Sequence, residues 1–251
     1  MGIFNKNYAE YYDIIYKDKK YKEECNFLEK IFKLYSKKIV KILDIASGTG
    51  GHSIPLAKRG YNVLGFDISK HMIKIAKGKG TGIRNVNFKV RNVRKFNFGT
   101  KFDVAIWMFS SIGYLTDYND LEKAFLSIRR HLHKNSLLIL DFWNGFSVIK
   151  HYFPFKKKVI VFDRGKIVRK AFTKLDAQNQ ICEVNYDCEI FDANKKLKFN
   201  SKHLVRFFFP EEIKNYLISN GFNVIKMCPF MNLNGKITDR TWDITVIARP
   251  K

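Results

Sequence analysis

The segment from Ile42 to Gly51, which reads Ile-Leu-Asp-Ile-Ala-Ser-Gly-Thr-Gly-Gly, constrains the fold more than any other part of the chain. An apolar strand runs into a glycine turn, and an amphipathic helix with Ile54 and Leu56 on its apolar face follows. This order predicts a doubly wound α/β sheet whose ligands bind beyond the carboxyl ends of the strands. A second apolar strand ends on Asp67 about 20 residues later, where a carboxylate can bind a ribose.

Two details indicate which kind of nucleotide this turn binds. Ser53 stands at the third glycine position of the pattern G-x-G-x-x-G, so a loop that cradles a pyrophosphate fits poorly. Asp44 places a negative charge in the strand just before the turn, and this charge favours a cationic ligand. The alternative is a glycine-rich turn of an α/β protein that binds no ligand.

The segment resembles the class I S-adenosylmethionine (SAM)-dependent methyltransferases. The resemblance implies that SAM is the cofactor, that Asp44 lies near its charged amino-acid end and that Asp67 binds both ribose hydroxyls. The cofactor-binding residues that it implies are Asp44, Ala46, Ser47, Gly48, Gly50, Asp67, Ile68, Met72, Asn92, Val93 and Met108. Asn92 replaces an acid that accepts a hydrogen bond from adenine in the family, and its side-chain carbonyl can still accept one. A solvated loop asparagine is the alternative there.

Length and cysteine content narrow the class of protein. A chain of 251 residues fits one large α/β domain with an inserted subdomain. No apolar run approaches the ~20 residues that span a bilayer, and Met1 to Asn7 lack a secretory signal core. The four cysteines show neither a C-x-x-C pair nor zinc spacing. We therefore expect a cytoplasmic enzyme with reduced thiols, no metal site and no membrane partner.

The formal net charge of +23 has several possible explanations. A nucleic acid, an anionic membrane surface or a phosphorylated substrate would each explain it, and so would lysines that merely solvate the surface. The lysines are scattered and form no basic helix or arginine-rich stripe. Among functional partners we therefore expect a small anionic acceptor carrying phosphate, and not a nucleic acid.

The order of apolar segments predicts the architecture. One helical stretch is expected from about Tyr8 to Leu34, followed by strands near 39–45, 62–67, 86–90, 102–108 and 137–142 that alternate with helices near 52–59, 69–78 and 119–132. Short alternating segments from about 158 to 209 predict an antiparallel meander. A helix from Pro210 to Asn220 and strands near 222–227 and 242–249 close the chain.

These elements predict an α/β fold: a doubly wound, mostly parallel seven-stranded sheet with an antiparallel β insert over its ligand face. Residues 1–36 would form a helical cap over the active site, and residues 37–150 the SAM-binding core. Residues 151–209 would form the insert and the acceptor pocket, and residues 210–251 would complete the core sheet.

The strand and loop from Phe102 to Leu115 form the second informative block. It lacks the Asn/Asp-Pro-Pro-Tyr/Phe tetrapeptide of enzymes that methylate base amines, which disfavours base flipping. The segment from Met108 to Leu115 resembles the loop Met-Phe-Ser-Ser-Val-Gly-Tyr-Leu of the sugar-amine N,N-dimethyltransferases that complete macrolide aminosugars. The segments from Tyr8 to Tyr16 and from His203 to Phe208 resemble the N-terminal motif and the acceptor-pocket strand of those enzymes.

By this resemblance the catalytic residues are Tyr16, Ser110 and Tyr114, and the substrate-binding residues are Ser111, Trp143, Asn144, His203 and Arg206. Plainer roles are open for several of them, such as helix packing for Tyr16, turn formation for the two serines and a local salt bridge for Arg206.

The expected function is SAM-dependent methylation of a small anionic acceptor, specifically an amino group of a nucleotide-linked sugar, by a monomer or homodimer. The alternatives are N- or O-methylation of another small metabolite, RNA methylation, and a non-catalytic SAM-binding role.

Overall fold

The computed structural model describes residues 6–36, 38–193 and 195–251. Most of these residues lie in two β-sheets and in the helices that pack on them. No helix within the described ranges combines the length and apolarity that a membrane crossing requires.

The larger sheet has seven strands in the order β10-β11-β5-β4-β1-β2-β3. Its strands are β1 (Lys41–Ile45), β2 (Asn62–Asp67), β3 (Val86–Val90), β4 (Phe102–Trp107), β5 (Leu132–Trp143), β10 (Phe222–Pro229) and β11 (Asp243–Pro250). β11 runs antiparallel to both of its neighbours, and the remaining neighbouring strands are parallel. The predicted fold class is confirmed, including the mostly parallel seven-stranded sheet.

The smaller sheet is the antiparallel meander that the turn signals predict. It contains, in spatial as well as chain order, β6 (Phe155–Phe162), β7 (Gly165–Asp176), β8 (Ile181–Asp192) and β9 (Lys195–Arg206). We call this sheet the insert.

The helices are α1 (Lys6–Ile15), α2 (Tyr21–Tyr35), α3 (Ser53–Lys58), α4 (Lys70–Lys79), α5 (Tyr118–Arg130), α6 (Gly145–His151) and α7 (Pro210–Ser219), and a 3-10 helix spans Ser111–Tyr114. The main sheet is covered on both faces because its strands are apolar on both sides. Leu43 packs in the cluster that contains residues of α5 and α7, whereas Ile42 packs in the cluster that contains residues of α2 and α3. This alternation is the period of two that a strand imposes.

The region predicted to be helical, from about Tyr8 to Leu34, forms two helices. α1 ends at Ile15 and α2 begins at Tyr21, because the polar run from Lys17 to Lys20 interrupts the apolar face. The two helices pack differently. α1 lies in a cluster with insert strands and α4, and α2 lies against the main sheet.

α6 is an element that the sequence analysis missed, and it changes the role of Asn144. This residue was predicted to bind substrate, but it is fully buried and caps α6. Its amide nitrogen donates to the carbonyl oxygens of Thr238 and Thr241, at 3.1 and 2.9 Å. The side chain therefore joins three segments of the fold, and the prediction of an acceptor contact is corrected.

The strand period also corrects the assignment of Arg206. β9 alternates, so that Ser201, His203 and Val205 face inward while Lys202 and Leu204 face outward. His203 and Arg206 are three residues apart and therefore lie on opposite faces of the insert. A single acceptor pocket cannot include both side chains.

Arg206 instead anchors the insert to the main domain. Its guanidinium lies 3.9 Å from the centre of the Tyr118 ring and donates to the Tyr118 hydroxyl. It also donates to the Thr116 carbonyl oxygen at 2.9 Å and to Gln180 Oε1 at 2.7 Å. Glu212 Oε1 lies 3.5 Å from Arg206 Nη2. Both terminal nitrogens are thus already bonded within the protein, and these contacts explain the burial of Arg206 without a substrate.

We therefore predict that Arg206→Ala mainly destabilises the fold. Removing a buried charge from its partners should lower the free energy of unfolding by roughly 3–5 kcal/mol. Lys202→Ala, which removes an exposed cation from the same face of β9, should change it by less than about 0.5 kcal/mol. Urea unfolding followed by tryptophan fluorescence tests both values. Equal stability of the two variants would contradict the anchoring role.

Candidate active site

The loop after β1 and the end of β2 are joined by hydrogen bonds to one carboxylate. Asp67, the last residue of β2, is 7% exposed. Its Oδ2 accepts from the Gly48 N–H at 3.0 Å, and its Oδ1 accepts from the Ser69 N–H at 2.8 Å. Each oxygen keeps a further lone pair for a ligand. The carboxylate thus fixes the glycine loop and faces the place where the resemblance puts the ribose.

Gly48 provides open space at the loop. Its φ of +54° lies in the left-handed region that favours glycine, and a Cβ atom built there would meet no heavy atom within 4 Å. A glycine with nothing above it lets another molecule approach the backbone closely. The conformation, rather than the packing, explains why a side chain is disfavoured here.

Asp44 is a buried acid next to this loop. It is 1% exposed, and Ser53 Oγ donates to its Oδ2 at 2.5 Å. Burial raises the pKa of Asp44 to about 6, against the opposing effects of His52 and the Ser53 hydrogen bond. Ser53, which the sequence analysis used only to exclude a pyrophosphate loop, therefore has a structural role as the partner of Asp44.

These residues fit SAM. Asp44 and Asp67 are carboxylates beside an open glycine, and the hydroxyl of Ser47 is buried without a hydrogen-bond partner in the structure. Ile68 follows Asp67 and is 60% exposed, which provides an apolar surface for a base. A cation, a ribose and an aromatic ring can all be held here.

The other predicted cofactor residues are placed less directly. Ala46 has a left-handed φ of +54°. Met72 and Met108 are 2% and 3% exposed and pack in apolar clusters, Val93 packs against the core, and Asn92 Oδ1 already accepts from the Arg94 N–H at 3.0 Å. Their contacts with the donor stay predictions.

A chain of buried polar contacts links Lys19, Glu24 and His52, and the sequence analysis missed it. Lys19 Nζ lies 2.6 Å from Glu24 Oε1, and Glu24 Oε2 lies 2.7 Å from His52 Nε2. Lys19 also lies 4.0 Å from the centre of the Phe109 ring. These contacts join the segment between α1 and α2 to the loops after β1 and β4.

α1 is held over the same loop by its own contacts. Thr49 Oγ1 donates to Asp13 Oδ1 at 2.6 Å, and Lys79 Nζ lies 2.6 Å from Asp13 Oδ2. The predicted catalytic residue Tyr16 directly follows this helix, so these contacts tie the segment before it to the donor loop.

Hydrogen bonds to Asp141 and Asp243 hold Ser110 in place. Its N–H donates to Asp141 Oδ1 at 2.6 Å, and its hydroxyl donates to Asp243 Oδ1 at 2.9 Å. Phe109 and Ser110 both have positive φ values, of 63° and 50°, which is costly for residues other than glycine. The geometry gives Ser110 a structural task, namely to hold this turn, because both of its donor groups are in use.

Burial raises the pKa of Asp141 to about 8, and the neighbouring charge of Asp243 adds to this effect. Burial also raises the pKa of Asp243 to about 6. Both acids lie within apolar strand sequence, Leu-Leu-Ile-Leu-Asp-Phe and Trp-Asp-Ile. A charged residue in such a strand is the signal that could have identified them.

Four tyrosines and one histidine converge between α1, the 3-10 helix and the inner face of the insert. We call Tyr8, Tyr16, Tyr114 and Tyr186 the tyrosine cluster. The hydroxyls of Tyr8 and Tyr16 are 3.1 Å apart, and the Tyr114 hydroxyl lies 2.8 Å from His203 Nδ1. The Tyr186 ring centre lies 5.0 Å from that of His203. The structure thus brings together the predicted residues Tyr16, Tyr114 and His203.

This cluster adjoins the donor loops. The Tyr16 ring packs edge-on against Phe109 with ring centres 5.3 Å apart. Burial, followed by the charges of neighbouring groups that include Asp67, raises the pKa of Tyr114. Burial, with a further contribution from Arg169, lowers the pKa of His203 to about 4. The histidine is therefore neutral at physiological pH.

Gly113 allows the 3-10 helix to reach the insert. A Cβ atom at this position would lie 2.7 Å from the Arg206 carbonyl oxygen, so any side chain would push Tyr114 away from His203. Ser111 Oγ donates to the Met108 carbonyl oxygen at 2.8 Å and shapes the same turn. Trp143 is half-buried beside Trp242, and its substrate contact stays a prediction.

The chain is similar in sequence to proteins of known families. Residues 42–135 match the family model described as a methyltransferase domain. The chain is 23% identical over 232 residues to the dTDP-3-amino-3,4,6-trideoxy-alpha-D-glucopyranose N,N-dimethyltransferase of Streptomyces venezuelae, covering 88% of this chain and 92% of that protein.

Solved structures agree on the fold. An S-adenosylmethionine-dependent methyltransferase from Clostridium acetobutylicum ATCC 824 superposes with a TM-score of 0.84 at 21% identity, over 99% of both chains. The sugar N-methyltransferase KedS8 from Streptoalloteichus sp ATCC 53650 gives a TM-score of 0.79 at 20% identity, over 96% of this chain and 93% of that one. The present chain is an SAM-dependent methyltransferase that resembles aminosugar N-methyltransferases.

The first prediction for this site concerns the donor. Asp67→Ala removes a charged acceptor and the hydrogen bond that fixes Gly48, so SAM affinity should fall by roughly 1.5–3 kcal/mol. Asp163→Ala, at an exposed turn of the insert, should leave the affinity unchanged. Calorimetric titration with SAM measures both. Wild-type affinity of the Asp67 variant would contradict the assigned donor site.

The second prediction concerns pH. The folded state keeps the Asp141 proton up to about pH 8, whereas the unfolded chain releases it above a pH of about 4. Stability should therefore fall as the pH rises through this window. Asp141→Asn keeps an acceptor for the Ser110 N–H and removes the ionisation.

Thermal melts from pH 5 to pH 8.5 test this prediction. At pH 8 the Asp141→Asn variant should exceed the wild type by roughly 1–3 kcal/mol, and the gain should shrink towards pH 5. The exposed control Asp163→Asn should follow the wild-type profile. A gain that does not depend on pH would show that ionisation of Asp141 is not its cause.

Proposed function

We propose that this SAM-dependent methyltransferase transfers a methyl group to the amino group of a nucleotide-linked sugar. The observation that carries the proposal is the tyrosine cluster, which packs around neutral His203 and adjoins the donor loops. Two similar proteins, an aminosugar N,N-dimethyltransferase and a sugar N-methyltransferase, support the same class of acceptor.

The residues of the cluster suit a nitrogen nucleophile. SAM supplies, when bound, a methyl group on a good leaving group. An attacking amine must be neutral before transfer and gains positive charge during it. Phenol oxygens accept hydrogen bonds from N–H groups, and tyrosine faces attract a cation. The hydroxyls of Tyr16 and Tyr114 would therefore orient the amine, and the ring of Tyr16 would stabilise the charge that develops on it.

Positioning is the main task left to the protein. Holding the nucleophile and the methyl group in line can lower the barrier by roughly 7–11 kcal/mol. α1 and the insert would close over the acceptor from two sides, since α1 packs against β6 to β9. This arrangement requires no strong base, and His203 would act by holding the Tyr114 hydroxyl in place.

We also place the enzyme in the cytoplasm, as a monomer or homodimer. Cys25, Cys182, Cys188 and Cys228 are all buried and free, and thiols of this kind suit a reducing compartment. N- or O-methylation of another small metabolite, including a phosphorylated one, is the runner-up, because the tyrosine cluster could also orient such an acceptor.

The test is an acceptor screen with purified protein. Nucleotide-linked sugars bearing a 3-amino or 4-amino group should release S-adenosylhomocysteine and yield N-methylated product by mass spectrometry. The matched sugar with a hydroxyl in place of the amine should remain unmodified. Tyr16→Phe should lower kcat more than it changes the KM of either substrate, because its hydroxyl would orient the reactants.

Two results would overturn the proposal. One is turnover with phosphorylated amines but with no aminosugar nucleotide. The other is structure-selective binding and methylation of RNA at ~150 mM salt, where non-specific attraction to a basic protein is largely screened.

A further inference from the structure

Arg169 is a cation in the acceptor region that the sequence analysis did not single out. It lies on β7 two residues after the fully buried Ile167, and therefore on the same inward face. Its guanidinium carbon lies 5.4 Å from the centre of the Tyr16 ring and 5.1 Å from that of Tyr186. The arginine thus lies between two members of the tyrosine cluster.

One terminal nitrogen of this guanidinium, Nη1, is buried and has no hydrogen-bond partner in the structure. A buried donor without a partner costs free energy, and the cost is greater for a charged group. The two aromatic rings attract the cation but provide no acceptor in the plane of the guanidinium. An oxyanion would supply that acceptor.

The neighbouring cations are already paired, which distinguishes Arg169 from them. Lys158, its register partner on β6, lies 2.7 Å from Asp18 Oδ2. Arg206 also has a buried unpaired nitrogen, but this is Nε, and both of its terminal nitrogens donate to Thr116 and Gln180. In Arg169 a terminal nitrogen, the group that an oxyanion meets first, is left without a partner.

We propose that Arg169 binds a phosphate group of the acceptor. The anionic half of the acceptor would then lie along the inner face of the insert, with its amino group beside Tyr16 and Tyr114. This inference rests on the proposed function, because it assumes that the acceptor occupies the tyrosine cluster. A forked guanidinium is suited to a phosphate, since two of its N–H groups can donate in parallel.

A binding experiment tests the anion site without turnover. The probe is inorganic pyrophosphate, titrated by calorimetry at ~150 mM salt so that scattered surface lysines contribute little. Arg169→Gln should weaken binding about 10- to 100-fold through loss of a charged hydrogen bond. Arg169→Lys should bind with intermediate affinity, because it keeps the charge but not the fork.

The control is Lys174→Ala. Lys174 lies on the same strand but on the outward, exposed face, so this variant removes the same charge and should bind pyrophosphate like the wild type. Equal binding by Arg169→Gln and Lys174→Ala would overturn the inference. Arg169→Lys keeps the test decisive if the glutamine variant does not fold.

Kinetics with matched acceptors separate this inference from the proposed function. Arg169→Gln should raise the KM for an aminosugar nucleotide about 10- to 100-fold, with SAM affinity unchanged, and should not affect the same aminosugar without phosphate. Turnover of aminosugar nucleotides with an unchanged KM would overturn the role of Arg169 alone. Pyrophosphate binding that depends on Arg169, without turnover of any aminosugar, would overturn the proposed function and leave the anion site standing.

Discussion

Burial of four aspartates at one edge of the main sheet is the constraint on which the rest of this structure depends. Asp44, Asp67, Asp141 and Asp243 all lie near the carboxyl ends of the parallel strands, and burial raises the pKa of each carboxyl. Such acids are costly unless nearby donors or cations compensate them. Backbone and hydroxyl donors of the loops after β1, β2 and β4 provide that compensation. The same hydrogen bonds therefore offset the free-energy cost of burying the acids, and they also fix the conformation of the loops around the ligand site.

The acidic edge stands out in a chain whose net charge is +23. A sulfonium and an ammonium group are cations, so carboxylates such as Asp44 and Asp67 on this edge suit the donor of an SAM-dependent enzyme. The proposed phosphate partner, Arg169, lies on the inner face of the insert. On this proposal the donor site and the acceptor site carry opposite charges, and each would repel the other's ligand. Charge complementarity would therefore direct SAM to the acidic site and the acceptor phosphate to Arg169.

Apart from α6, the sequence was sufficient to predict the order of strands and helical regions, because the apolar periods of β1 to β5 and the turn signals of the insert are local features. It was also sufficient for Asp44, Asp67 and the glycine loop, whose chemistry is contained in about 25 consecutive residues. It was insufficient where a role depends on distant partners. Asp141 and Asp243 meet at Ser110 from strands about 100 residues apart in sequence, and Asn144 is fixed by Thr238 and Thr241. No local pattern encodes such pairs.

The resemblance implied that Arg206 lines the acceptor pocket, and the alternation of side chains along a strand could have corrected this assignment from the sequence alone. The strand containing His203 and Arg206 was identified as lining the acceptor pocket, and both residues were assigned to it. Residues three apart on a strand face opposite sides, so only one of the two can face a pocket. A buried nitrogen without a partner does not distinguish the two arginines, since each has one. The face of the sheet and the unpaired terminal nitrogen do distinguish them. In an insert of this kind, the inward-facing residues of β7, β8 and β9 are therefore the positions where acceptor selectivity can be encoded, and the outward-facing residues are free to anchor or solvate the sheet.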